Sequence, residues 1–230
     1  MRSKIFNSKA YQVFDYICRL IILNILLIIC SFSIFLIIQT AFKDLDNVYK
    51  WLSLIPTLLT IGPSMVAIFA TIKDYELIES TGTFKEFFRN FKKYYLKTIL
   101  SSIILIVFGI LLINSLNYFY GMRTSGVGYV IGFVFSISFI LIYLMCFIHL
   151  PLSFIYFDGI QIMHHIKLAL IFAFKDLGRT LILVILVVLS LVLSYYFSLY
   201  LLLLGFSLPI YFLIKLTKSK YIKISERNKE

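Results

Sequence analysis

The chain has 230 residues, of which 61% are hydrophobic and only 14% charged, with a mean hydropathy of +0.96 and a net charge of +11. A soluble domain averages about 45–50% apolar and about 25% charged residues, so this composition excludes an ordinary soluble globule and points to a membrane-embedded chain. The basic excess then has to be explained by topology or by an anionic partner.

In chain order, residues 20–38 form a nineteen-residue stretch without a charge, about the length that crosses the hydrocarbon core as a helix. The stretch lacks the short apolar core and small-residue cleavage site of a secretory leader, so it is expected to be retained as a first span. Residues 52–72 form a second uncharged span, interrupted by Gly62 and Pro63, a pair expected to kink the helix and free backbone carbonyls.

The segment TFKEFFRNFKKYYLK follows, residues 83–97. Basic and aromatic residues interleaved in this way also occur in nucleic-acid binders. At helical spacing, however, Phe84, Phe87, Phe88, Phe91 and Tyr95 fall on one stripe, and Lys85, Arg89, Lys92 and Lys93 fall opposite. Thr83 and Glu86 have the spacing of a capping box. The pattern predicts an amphipathic helix over 84–96 lying in the membrane interface, with its rings in the acyl boundary or against the bundle and its cations on lipid phosphates. Because a membrane surface accounts for both faces, no nucleic-acid partner is expected.

Spans over 98–117 and 128–150 come next. A second amphipathic helix over 160–175 should turn Ile162, Met163, Ile166, Ala169, Leu170, Ala173 and Phe174 to its apolar side, with Gln161, His164, His165, Lys175 and Asp176 around the other. The last uncharged run, 180–214, is thirty-five residues long, too long for one span. Gly205 and Pro209 interrupt it, and a hairpin of helices over 180–197 and 199–216 is expected. The fold class is therefore all-α: one integral membrane domain over 1–230, a bundle of six transmembrane helices with two cytoplasmic amphipathic helices. Five spans are the alternative, but six put every Lys and Arg except Lys43, Lys50 and Arg123 on one side, as expected of cytoplasmic flanks. Both termini are then cytoplasmic, against an anionic inner leaflet.

Two units, each a proline-containing span, an amphipathic helix and a further span, echo one another as parallel repeats. GPSMVAIFATIKDYELIESTGTFKEFFRNFKKYYLKT resembles the signature region of the YesL-like bacterial membrane proteins, a domain of unknown function. CRLIILNILLIIC resembles their first span through Arg19, Leu23 and Asn24, and IKLALIFAFKDLGRTLIL their last cytoplasmic helix. The likeness runs over about residues 11–217, with Ile25 and Leu26 standing where members often carry an aromatic. The resemblance implies a cell-membrane location and association with carbohydrate uptake. It carries no catalytic residues.

The residues themselves indicate no enzyme. All eleven acidic side chains fall in tails or loops, where an intramembrane relay would need one mid-span. Cys18, Cys30 and Cys146 lack metal spacing, and consecutive His164 and His165 diverge on a helix, so no metal and no cofactor are expected. Gly128, Gly132 and Ser136, and likewise Ser190, Ser194 and Ser198, are small-residue stripes for helix contact or a polar groove. Asn24 and Asn114 are buried-amide candidates needing partners in hydrocarbon. Two functions follow: a non-enzymatic accessory or interaction protein, docking membrane transport or signalling subunits linked to carbohydrate uptake or its regulation; or a solute-conducting transporter or permease component using Asn24, Pro63, Asn114 and the serines.

Overall fold

The computed structural model of the protein describes residues 9–31, 54–75, 82–157 and 159–227. Lys43 and Lys50 of the first loop, the ends of the first two predicted spans at 32–38 and 52–53, and Lys229 lie outside the described residues. What is described is all helix: α1 Lys9–Ser31, α2 Leu54–Tyr75, α3 Thr83–Gly121, α4 Val127–Tyr156, α5 Ile162–Lys175, α6 Leu177–Tyr196, α7 Ser198–Leu203 and α8 Ser207–Arg227. No strand occurs among the described residues.

Among the described residues three helices are long and apolar enough to cross a membrane: Tyr11–Cys30 within α1, Thr83–Gly121 and Val127–Tyr156, with Leu177–Ser190 a shorter apolar helix. Large apolar side chains cover the outside of these helices, among them Val107, Leu111, Val134, Phe135, Phe139 and Ile185. Continuous apolar exposure on this scale is the surface of a protein that sits in lipid.

Two predicted boundaries are corrected. The helix at 84–96 and the span at 98–117 are one unbroken helix of 39 residues. A change from charged to apolar composition does not end a helix, whereas glycine and proline do, and the first glycine after Thr83 is Gly109. At a rise of about 1.5 Å per residue α3 is about 58 Å long, nearly twice the thickness of the hydrocarbon core. Conversely, the helix expected over 199–216 is two helices, α7 and α8, separated by a turn at 204–206. α8 then runs on to Arg227, well past the apolar run.

The core is a thread of side chains from α1, α2, α4, α6 and α8, with Leu23, Leu27, Ile68, Phe69, Leu152, Leu183 and Ile214 all fully enclosed. α2 and α3 form the most extensive helix pair, followed by α4 with α5 and α3 with α4. α2 runs through Pro63, and α4 through Pro151, without a break.

Candidate functional site

Polar side chains gather at two levels, one mid-bundle and one at the end carrying Lys73 and Lys97. The mid-bundle level is the break between α7 and α8. Pro209 has no N–H, so the carbonyl of Gly205, four residues earlier, loses its helical donor. Ser190 of α6 supplies one, its hydroxyl donating to Gly205 O at 2.5 Å while lying 3.1 Å from the Tyr200 hydroxyl. The turn also takes the N–H groups of Phe206 and Ser207 out of the ladder. Both donate to Oδ1 of Asn24, at 2.9 and 3.2 Å, so a side chain of α1 caps the start of α8. Asn24 is fully buried. Both ends of the broken helix are thus occupied by the chain's own polar groups.

Close packing dominates between the levels. A Cβ on Gly62 would sit 1.7 Å from Ser102 Oγ, so α2 and α3 touch almost backbone to backbone there. Ser101 and Ser102 both donate to Thr98 O, and Thr98 donates to Tyr94 O. Their hydroxyls are spent on α3 itself, and the cavity beside them, about 70 Å³ between α2, α3 and α4, is walled by Met65, Leu105, Ile106 and Phe147. The stripe on α4 also serves packing. Gly132 meets the ring of Phe119 and Ser136 meets Ser115 at 3.1 Å, while Gly128 faces open space. Asn114 is a correction: it is exposed on the outer side of α3, not buried. The side chains of Ser194 and Ser198 lie outside the described residues.

At the basic end, the aromatic stripe on α3 does not lie on one surface as expected. The face packed inward carries Thr83, Glu86, Phe87, Asn90, Tyr94 and Thr98, about a quarter turn from the predicted stripe. Phe87 is fully buried, Phe91 and Tyr95 are half-buried, and Phe84 and Phe88 are 61% and 40% exposed. The cause is the polar end of α2. Asn90 Nδ2 donates to Thr71 Oγ1 at 3.2 Å and to Asp74 Oδ2 at 3.3 Å, and this pairing rotates α3 so that its amide faces in. Phe84 and Phe88 touch each other at 4.8 Å between ring centroids, on a surface shared with exposed Lys85, Arg89, Lys92 and Lys93. The expected capping box is absent. Gly82, at φ 111°, precedes the helix, its carbonyl accepting from Glu86 N, and no side chain caps it.

The partners that complete this end are not visible in the sequence. Lys73 Nζ donates to Ile155 O at 2.7 Å, closing the last turn of α4, and lies over the Tyr156 ring. Burial draws its ammonium below the usual lysine range, against the opposing pull of Asp74. His149 of α4 is enclosed, with Nδ1 2.9 Å from the Tyr221 hydroxyl and Nε2 3.0 Å from Thr180 Oγ1, which in turn donates to Asp176 O. Burial pushes the Tyr221 phenol well up, with Tyr156 nearby adding to it. It therefore keeps its proton and donates to Nδ1, leaving Nε2–H to donate to Thr180. Lys220 pairs with Asp176, and the Phe172 ring stacks on Tyr221 at 4.2 Å.

His165, expected on the polar side of its helix, is instead buried, stacked on Phe154 at 4.1 Å with Nδ1 3.2 Å from Ser153 Oγ. The packed face of α5 is His165, Ala169, Phe172 and Ala173, and Met163 and Phe174 point outward. No His, Cys, Asp or Glu group among the described residues could hold a metal ion.

Residues 20–116 match the family model described as a protein of unknown function, DUF624. The matched stretch holds Asn24, the Gly62–Ser102 contact and the basic aromatic turns of α3, and it ends before α4 begins. No curated protein and no solved structure matches the chain.

Proposed function

We propose that this chain is a non-enzymatic, YesL-like integral membrane protein that docks another protein on its basic face. In this reading it crosses a bacterial cell membrane six times: α1, α2, the apolar part of α3, α4, α6, and the broken pair α7–α8 as the sixth crossing. Both termini and all the basic helix ends then face the cytoplasm, beside an anionic leaflet. The partner class comes from the family resemblance, namely membrane transport or signalling subunits linked to carbohydrate uptake or its regulation.

One observation carries the proposal. Phe84 and Phe88 are exposed next to Lys85, Arg89 and Lys92 on a helix that continues unbroken into the bundle. An exposed aromatic pair ringed by cations is a composition that interfaces favour. The alternative, a solute-conducting protein, draws on the broken helix, since such breaks build substrate sites in transporters. Here Asn24 and Ser190 take the polar groups that a solute would use, which favours docking.

Extraction in mild detergent tests the choice. The wild-type chain should come out with transport or kinase subunits, and Phe84→Asp with Phe88→Asp should release them. Recovery of the chain alone, together with uptake of a labelled sugar by reconstituted vesicles, would overturn docking in favour of conduction.

A further inference from the structure

Which kind of surface do the exposed turns of α3 meet? An interfacial helix has to bend away from its span to lie along the membrane. α3 does not bend away: it is a single helix from Thr83 to Gly121, with neither glycine nor proline before Gly109. Lys97 is the last charge before its apolar part. Counting back at about 1.5 Å per residue puts Phe88 about 14 Å and Phe84 about 20 Å beyond Lys97 along the axis. The polar layer outside the hydrocarbon core is only about 5–8 Å thick on each side, and an ordinary tilt of about 20° shortens those distances by only about 6%. Counted instead from Asn90, which pairs with Thr71 beside the last uncharged residue of α2, Phe84 still lies about 9 Å out, so on either count its ring stands beyond the headgroups, with Phe88 nearer to them.

Resting on the docking reading above, we infer that the occupant of this face is an acidic protein segment with apolar side chains at helical spacing, and not the lipid surface. Charge selects the sign. Along the outer side of α3, Lys85, Arg89, Lys92 and Lys93 are exposed, while Glu86 is turned inward and buried. Among the described residues, the acidic group of α2 that reaches this side is Asp74, 3.8 Å from Arg89. Apolar contacts come four residues apart, at Phe84 and Phe88. A partner helix laying Leu-type residues along this row brings its flanking carboxylates over the lysines.

The test uses the full-length chain in nanodiscs containing phosphatidylglycerol. With Cys18, Cys30 and Cys146 replaced by alanine, a spin label on Phe84→Cys should be reached by a water-soluble nickel chelate in preference to oxygen. A fluorescent peptide with Glu and Leu at helical spacing should bind the cysteine-intact protein. Its affinity should fall about tenfold with Phe84→Ser and Phe88→Ser together, and again with Lys85→Ala and Lys92→Ala together. The same peptide with Lys for Glu should not bind. A label found at acyl-chain depth would make the membrane the occupant and overturn the inference. Equal binding of the two peptides, or no loss in either double variant, would overturn it too. If these fail while co-purification succeeds, docking stands with a partner of other chemistry; if co-purification also fails, the docking reading itself falls.

Discussion

Buried polar groups in the middle of the bundle and buried polar groups at its basic end are handled in opposite ways. At the α7–α8 break, Asn24 and Ser190 are used up on backbone groups that the turn and Pro209 have released. At the basic end, side chains are matched to side chains: Asn90 to Thr71 and Asp74, His149 to Tyr221 and Thr180. In the first region a polar residue exists because the helix is broken. In the second it sets how intact helices rotate against one another. Among the described residues the polar groups of the middle are mostly spent on the backbone, with the buried Ser207 hydroxyl the exception, and the larger surface available for recognition is at the end.

Breaking the first side of this contrast should have the largest effect. Asn24→Leu keeps the branched shape but leaves two backbone N–H groups buried without an acceptor, a loss of about 2–5 kcal/mol. Heat or SDS unfolding in detergent should show it, and wild-type stability would remove Asn24 from the role of helix cap.

The contact between the two levels comes next. Gly62→Ala places a methyl group against Ser102 and the Thr98 carbonyl, so α2 and α3 must separate, at about 1–3 kcal/mol. Adding Ser102→Gly should recover part of that loss, and additive losses in the double variant would place the strain elsewhere.

The smallest effect belongs to the rim. The Lys220 and Asp176 side chains that pair there are 41% and 23% exposed, so Lys220→Met should cost less than about 1 kcal/mol, and less still in high salt. A larger loss would make the rim part of the rotational lock.

Much of this arrangement was legible in the residues, and the misses have physical causes. Helical class and the apolar stretches follow from local chemistry, and so does the break at Gly205 and Pro209, although the helix expected over 199–216 runs straight through it. The join between residues 84–96 and the next span was legible as well, in the absence of glycine and proline, but reading the change in charge as a boundary hid it. The rotation of α3 was not legible. It depends on Asn90 finding Thr71 and Asp74 of another helix, and a periodicity of aromatic residues carries no information about a neighbour's polar end. His165 fails for the same reason: its place on the helix suggests solvent, while the Phe154 ring and Ser153 hydroxyl supply a buried alternative.

Ser102 lies midway along α3, and it is there that Gly62 holds the helix most tightly. Asn90 on one side of that point and Ser115 on the other are tied to α2 and α4 as well. A rod clamped at three heights has no pivot, so a load placed on Phe84 is borne by the neighbouring helices and spreads into the bundle.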